Sequence, residues 1–304
     1  MKFSSRILMS SIVPALGLLL SGHAIGTTTR ADASAFVSGG TQSQTNTGGP
    51  GGAQASASQV IPSPAGNVFV SAQASSFPGT LRAVGVARTD GTAGGFQGQG
   101  FALWADGFTI SAFGYHGPVT GTFSGSVQVN GGLLALFGGR SIADTQIFAD
   151  LGLDPHTGFN SGIVRVHGEA RDLNGYQIGE TRTGSENFTL SYANVPFTFD
   201  QNIDISLQLL VSATVNGDIG RSEADYSHTM TWTGISEVRD ALGNRLTDFS
   251  ALSPASGFNF AAPTAPTAVP EPGTCYLLLT GLFALGKLRR ADKSASKPAD
   301  ALAA

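Results

Sequence analysis

The sequence predicts an all-β, antiparallel body of the β-sandwich or jelly-roll type over residues 59–252. Apolar and polar side chains alternate with period two over several stretches, which is typical of half-buried strands. Turn signals that contain Gly, Asn and Asp separate these stretches. The chain has 304 residues, a length that all-β folds use as one domain. Many alternating strands joined by tight turns favour two packed antiparallel sheets.

The clearest strand covers residues 203–215, where the odd-numbered side chains are apolar and most even-numbered ones are polar. Shorter alternating stretches lie at residues 68–74, 119–129, 188–192 and 230–232. The turn signals expected to separate strands are Asp90-Gly91, Asn130-Gly131-Gly132, Asn174-Gly175 and Asn216-Gly217. Residues 142–151 have a spacing typical of a helix, and no fixed repeat indicates a propeller or a β-helix.

Composition and charge disfavour some classes of partner. The chain has 41 glycines and only 12% charged residues, which favours strands and turns over long surface helices. Residues 27–286 contain ten arginines against nineteen acidic residues, a net charge of −9. Because an acidic body repels phosphate backbones, nucleic acid is not an expected partner. Cys275 is the only cysteine, so neither an internal disulfide nor a cysteine-based metal site is expected.

Residues 1–26 predict a secretory signal peptide, with a helical apolar segment. Lys2 and Arg6 form a positive start, residues 7–20 are apolar, and small residues follow. Three small residues fit the position before a cleavage site: Ala24, Gly26 and Ala33. The alternative is an uncleaved membrane anchor, which the short run and Pro14 disfavour.

The C-terminal region has three parts in order: Pro270-Glu271-Pro272, an apolar run over residues 275–286, and a basic cluster over residues 287–290. As a helix, the apolar run spans roughly 18 Å, which is short of a bilayer core of about 30 Å. The basic cluster favours a cytoplasmic position for its own end and leaves the body outside. A short transmembrane helix with fixed orientation suits transient presentation to a membrane protease.

This order of features resembles the PEP-CTERM sorting domain of Gram-negative bacteria. The resemblance implies that Pro270, Glu271 and Pro272 form the sorting motif. It implies a membrane segment that includes Cys275, Leu277, Leu278, Leu279, Gly281, Leu282, Phe283 and Leu285, and a basic stop at Lys287, Arg289 and Arg290. It also implies cleavage by an exosortase, an integral protease of the inner membrane, in bacteria that make extracellular polysaccharide. Residues 291–304 depart from the pattern as an added polar tail, and an uncut C-terminal anchor is the alternative.

Two further segments flank the predicted body. Residues 27–58 are rich in Gly, Ser, Thr and Gln, so they offer too little apolar surface to offset chain entropy and are expected to be flexible. Residues 253–268 are rich in proline and predict an extended linker. The sorting signal then occupies residues 269–290 and the polar tail residues 291–304.

No catalytic residue, metal site or cofactor is predicted. None of the body histidines has a paired metal-ligand spacing: His116, His156, His167 and His228. A polar cluster could ligate Ca²⁺ but does not fit the Ca²⁺ loop pattern, so a solvated hairpin is the favoured interpretation. Its members are Asp218, Glu223, Asp225 and His228. Residues 94–100 (GGFQGQG) lack the strand-to-helix setting of a nucleotide loop.

Two sets of residues could bind a ligand. Alternating positions on one predicted strand could form either a polar binding face or a solvent-facing sheet surface: Arg165, His167, Glu169 and Arg171. Three aromatic residues could stack on sugars, although such residues more often lie in a core: Trp104, Tyr115 and Trp232.

These features together predict an exported, non-catalytic protein of the cell surface or extracellular matrix, associated with exopolysaccharide or biofilm. The first alternative is a carbohydrate-binding module or an adhesin. The second is a polysaccharide-acting hydrolase or lyase, which requires two carboxylates facing each other across a cleft.

Overall fold

The computed structural model describes residues 26–63, 66–116, 119–138, 142–154, 164–174, 180–184 and 187–264. These residues form an all-β structure. The strands are β1 (Thr28–Val37), β2 (Gly40–Gly48), β3 (Ala53–Ser63), β4 (Gly66–Phe77), β5 (Thr80–Ala112), β6 (Thr120–Val129), β7 (Gly132–Gly138), β8 (Ile142–Asp154), β9 (Val164–Asn174), β10 (Glu180–Gly184), β11 (Phe188–Thr198), β12 (Asn202–Asp240), β13 (Arg245–Leu246) and β14 (Phe249–Leu252). No helix in the described ranges is long and apolar enough to cross a membrane.

All of these strands belong to one curled antiparallel sheet. Two long strands organise it, because β5 and β12 have 33 and 39 residues and pair with each other along most of their length. One path of neighbours runs β10-β9-β8-β12-β5-β1-β2. Of the other strands, β4 and β14 pair with β5, whereas β6, β7 and β13 pair with β12. β3 pairs with β4, and β11 pairs with β6.

Both long strands bend at the same place. Asp90 pairs with Ile219 and Gly94 pairs with Gly217, so three residues of β5 lie opposite one residue of β12. Gly91 and Gly217 have φ values of 113° and 134°, which glycine adopts without steric cost. The Asp-Gly and Asn-Gly signals were expected to separate strands, and instead they bend the sheet inside two strands.

The bend divides the sheet into two half-sheets that face each other. The first half-sheet contains β1, β2, β8, β9 and β10 with the segments of β5 and β12 that pair with them. The second contains β3, β4, β6, β7 and β11 with the remaining segments. A Cβ atom on Gly98 would lie 2.3 Å from the carbonyl oxygen of Ser71 and 2.6 Å from that of Val86. Gly98, together with Gly100, whose Cβ would lie 2.6 Å from the Gln73 carbonyl oxygen, therefore allows the two backbones to approach closely.

Aromatic side chains fill the core near the C-terminal end of the body. The ring of Phe260 is stacked on Trp104 at 5.5 Å and on Phe108 at 4.2 Å, and it meets Trp232 edge-on at 5.5 Å. All four side chains are fully buried. Trp104 and Trp232 are thus core residues, as the sequence favoured.

The predicted strands at residues 68–74, 119–129, 188–192, 203–215 and 230–232 are confirmed, although β6 begins at Thr120. The helical interpretation of residues 142–151 is wrong, because they belong to β8, which pairs with β12 and β9. Ile147, Ala149 and Leu151 are buried with period two. A short apolar run fits the period of a helix as well as that of a strand, and here the pairing of β8 on both sides makes it a strand.

The expectation of a flexible segment at residues 27–58 is corrected by the structure, which places most of it in β1, β2 and β3. Ala31, Ala33 and Ala35 alternate along β1 and are almost fully buried. Where two backbones approach closely, methyl groups are large enough to fill the space. An alanine-rich strand can therefore be buried although its composition is only weakly hydrophobic.

The predicted proline-rich linker also begins later than residue 253. Ser253 and Phe260 are buried, and the Phe260 amide donates to the Ala251 carbonyl at 2.8 Å. The compact unit extends to Thr264. Residues 265–268, the predicted signal peptide up to residue 25, the predicted sorting signal and the predicted polar tail lie outside the described residues.

Candidate functional site

The predicted sorting residues cannot be placed in the fold. Pro270, Glu271 and Pro272, the predicted membrane segment from Cys275 to Leu285 and the predicted basic stop all lie beyond the described part of the chain.

The acidic cluster on β12 is not a hairpin. Asp218, Glu223 and Asp225 lie inside β12, which pairs with β5 on one side and β7 on the other. Glu223 forms an ion pair with Arg221 at 2.6 Å, and the Asp225 carboxylate accepts from the Ser227 amide at 3.0 Å. Among the described residues, no group of three His, Cys, Asp or Glu side chains is placed to hold a metal ion. The solvated-hairpin interpretation failed because Asn216-Gly217 bends the strand and does not reverse it.

The first half-sheet turns a broad polar face outward. The odd-numbered residues of β12 from 203 to 215 are buried, so the even-numbered residues lie on the opposite face. The register extends this face to both neighbours, because Ser212 lies between Gln99 of β5 and Gln146 of β8. These side chains are half-buried. We call the following set the amide face: Gln97, Gln99, Phe101, Asp144, Gln146, Phe148, Asp150, Gln208, Leu210, Ser212 and Thr214.

Amide groups supply most of the hydrogen-bonding capacity of this face. Gln97 Nε2 donates to Ser212 Oγ at 2.9 Å, and Gln146 Nε2 donates to Asp144 Oδ2 at 2.6 Å. A side-chain amide carries two N–H donors and a carbonyl acceptor. Because each of these bonds uses one donor, the amides retain capacity for hydroxyl groups of a ligand.

A row of apolar side chains crosses the middle of the amide face. Phe148 of β8 lies opposite Leu210 of β12, which lies opposite Phe101 of β5. Two inter-strand spacings separate the two aromatic residues, a distance of about 10 Å. The Arg30 guanidinium lies 5.8 Å from the centre of the Phe101 ring and pairs with Asp32 at 2.7 Å. The face therefore combines apolar surface with polar groups on either side.

The predicted polar stripe of β9 borders the same face. Backbone pairing sets its positions Arg165, His167, Glu169 and Arg171 opposite Gly152, Asp150, Phe148 and Gln146 of β8. Directly opposite residues of an antiparallel pair belong to one face of the sheet. The sequence predicts this stripe but not the amide face. The polar side chains at even-numbered positions of residues 203–215 were the signal that could have indicated the amide face.

Asp106 is a buried carboxylate that fixes the two ends of the body. Its oxygens accept hydrogen bonds from Thr27 Oγ1 at 2.9 Å, Ser253 Oγ at 2.8 Å and Ser256 Oγ at 2.6 Å. The Gly107 amide donates a further bond at 2.8 Å. These bonds join residues that are far apart in sequence, so they indicate a structural role for the carboxylate.

Asp240 closes the turn after β12. Its carboxylate accepts from the Asn244 amide at 2.8 Å, Asn244 Nδ2 at 3.0 Å, the Leu242 amide at 2.9 Å and the Tyr115 hydroxyl at 3.1 Å. The hydrogen bonds, first of all that from the Asn244 side chain, lower the pKa of Asp240 although burial opposes them. The bond to Asp240 raises the pKa of Tyr115. The Tyr115 ring stacks on Phe199 at 5.0 Å, so it packs on the body.

Comparison of the chain with protein-family models, curated proteins and solved structures finds no match. The function is therefore inferred from the residues of the chain itself.

Proposed function

We propose that the chain is an exported, non-catalytic protein of the cell envelope or extracellular matrix, whose amide face binds extracellular polysaccharide. We further assign the curled sheet, with its two facing half-sheets, to the β-sandwich class. The amide face is the observation that carries the binding proposal. The signals at the two ends of the sequence support the proposed location.

The chemistry of the amide face suits a polymer of sugars. Sugar hydroxyls both donate and accept hydrogen bonds, as side-chain amides and hydroxyls do. The C–H faces of a sugar ring are apolar and can pack on Phe101, Leu210 and Phe148, which lie in one row across three strands. An open sheet face that extends over several strands fits a long chain better than a small molecule, for which a concave pocket is typical.

Charge favours a neutral polysaccharide over an anionic one. Asp144 and Asp150 lie on the amide face, and Arg30, which lies beside the Phe101 ring, is paired with Asp32. Residues 27–286 as a whole carry a net charge of −9. Because like charges repel over a Debye length of about 8 Å at physiological salt, an anionic polymer is disfavoured.

The proposed route to the outside follows from the two ends of the chain. The signal peptide directs export, and the Pro-Glu-Pro region with its short apolar run is presented to an exosortase at the inner membrane. Cleavage then releases the body to the cell surface or the surrounding polysaccharide.

Affinity electrophoresis of the full-length chain tests the binding proposal, with hydroxyethyl cellulose as a neutral probe and alginate as an anionic probe. The double variant Gln99→Ala with Gln208→Ala removes two amides from the amide face. Gln73→Ala is the matched control, since this exposed glutamine lies on β4 of the second half-sheet. We expect hydroxyethyl cellulose to retard the wild type and the control but not the double variant. Equal retardation of all three proteins, or none of any of them, contradicts the proposal.

A further inference from the structure

Two strands end the sheet on the same side of the described body. β2 pairs with β1 alone, and β3 pairs with β4 alone. An edge strand presents backbone N–H and C=O groups to which another strand can add. The two edges differ in how well they are protected.

The edge of β3 is largely blocked. Asn46 donates its side-chain amide to the Gln54 carbonyl, and the Ser56 amide donates to Gln44 Oε1 at 2.7 Å. These bonds show that the even-numbered residues of β3 direct their backbone groups away from β4. Pro62 occupies another even-numbered position, where its missing N–H withdraws a donor from the edge.

The edge of β2 is open. Val37 and Gly40 pair across a two-residue turn in which Gly39 has a φ of 118°. The pair that flanks such a turn exchanges hydrogen bonds, and bonded pairs then alternate along the hairpin. The even-numbered residues of β2 therefore bond to β1. The residues that direct their backbone groups outward are Thr41, Ser43, Thr45 and Thr47.

β2 lacks the usual protection of an edge strand. Its nine residues contain no proline and no charge, and its pairing with β1 runs without a register shift. Residues 40–47 are all exposed. The strand is held by its ladder with β1 and by the Gln44 and Asn46 side-chain bonds to β3, so a second ladder would stabilise it further.

Charge allows a second copy of the chain to approach this edge. Residues 33–81, which include the whole of β2, contain no charged side chain. The excess of acidic residues therefore lies outside residues 33–81, so electrostatic repulsion between copies is weakest near β2. Arg30 and Asp32, which lie opposite Thr47 and Thr45 on β1, neutralise each other.

We propose that β2 pairs antiparallel with β2 of a second copy of this chain and joins the two sheets in a symmetric dimer. A register centred on Gln44 uses all the outward residues of both copies. It sets Ser43 opposite Thr45 of the second copy and Thr41 opposite Thr47. Gln44 then lies opposite its own counterpart, so its Nε2 can donate across the interface while its Oε1 accepts from the Ser56 amide of its own chain.

Thr45→Pro tests the proposal, because it removes one outward N–H from each copy but no bond to β1. Ser58→Pro is the matched control, since residue 58 holds an outward position on β3. Sedimentation velocity of the full-length chains measures the dimer dissociation constant. The wild type and both variants are compared in the same detergent, so that any association through the apolar end segments is the same in all three proteins. We expect Thr45→Pro to raise the dimer dissociation constant at least about tenfold and Ser58→Pro to leave it unchanged. A monomeric wild type, or equal effects of the two prolines, overturns the proposal.

Disulfide cross-linking provides a second readout that does not depend on how Thr45→Pro folds. In the Cys275→Ser background, Gln44→Cys sets two thiols opposite each other in a non-hydrogen-bonded pair, with Cα atoms about 4.5 Å apart. This separation lies within the range of disulfides. Mild oxidation should give a covalent dimer of Gln44→Cys, whereas Ser58→Cys stays monomeric. Absence of the dimer, or equal yields from both variants, contradicts pairing through β2.

Discussion

The indole Nε1 of Trp232 donates a hydrogen bond to the carbonyl oxygen of Phe260 at 3.0 Å. Both residues are fully buried, and the Phe260 ring also packs on Trp104 and Phe108. The segment that follows β14 is therefore part of the core, although its composition resembles a linker.

Phe260→Ala should lower the free energy of unfolding by about 3–5 kcal/mol, because it leaves a cavity between three aromatic rings. Urea denaturation of the full-length chain measures this change. Phe113→Ala is the control, since Phe113 is 94% exposed, and its effect should stay within about 0.5 kcal/mol. Similar stabilities of the two variants would show that the segment does not pack on the core.

Gly98→Ala should destabilise the protein by at least about 1–3 kcal/mol, because the new methyl group has no space between the half-sheets. Its Cβ would lie within 3 Å of backbone atoms of Ser71 and Val86, and backbone cannot move aside as a flexible side chain can. Gly132→Ala is the matched control, because nothing lies within 4 Å of its Cβ position. Thermal unfolding of both variants checks the prediction, and equal melting temperatures would contradict the close approach.

Asp106→Asn should cost about 1–3 kcal/mol of stability, because an amide nitrogen cannot accept the hydrogen bonds that reach one carboxylate oxygen. Asp90→Asn serves as the control, since the Asp90 side chain is 50% exposed and pairs with exposed Arg88. Exposed ion pairs of this kind contribute about 0–1 kcal/mol. Chemical denaturation at neutral pH should give a lower free energy of unfolding for Asp106→Asn than for Asp90→Asn. An unchanged free energy of unfolding in Asp106→Asn would show that Asp106 does not hold the two ends of the body together.

The Tyr115–Asp240 pair predicts two pH dependences of opposite sign. The lowered pKa of Asp240 adds stability that is complete above the ordinary carboxyl pKa of about 3.9 and is lost as the pH falls through the folded value. The raised pKa of Tyr115 adds stability that is complete below the ordinary tyrosine pKa of about 10 and is lost as the pH rises through the folded value.

Unfolding free energies measured against pH test both limbs. Asp240→Asn should reduce the loss of stability on the acid side, and Tyr115→Phe should reduce the loss on the alkaline side. Unchanged slopes in Tyr115→Phe and Asp240→Asn would show that the hydrogen bond between the two residues does not couple to folding.

The sequence predicts the strands that carry large apolar side chains, because branched and aromatic residues at alternate positions reveal the period directly. It does not predict β1 as a buried strand, because Ala31, Ala33 and Ala35 gain their burial from the close approach of the second half-sheet. The sequence also predicts the wrong structural role for Asn216-Gly217, since the same residue types can reverse the chain in a turn or bend a strand. The strands that pair with residues on either side decide between a turn and a bend, and these strands are distant in sequence.

The amide face could not be predicted from the sequence for a similar reason. Gln99, Gln146 and Ser212 come from three strands, and only the register brings them into one row. The alternation of residues 203–215 indicates that a polar face exists, but it does not say which polar residues border it. The stripe on β9 could be recognised because its members follow one another along one strand.

Intact-mass measurement of the protein recovered from outside the cells tests the proposed export and processing most directly. We expect a mature species that lacks the N-terminal signal peptide and ends near Pro270-Glu271-Pro272, without residues 275–290. A mature species that retains Cys275 and Arg290 would contradict processing at the C-terminal signal.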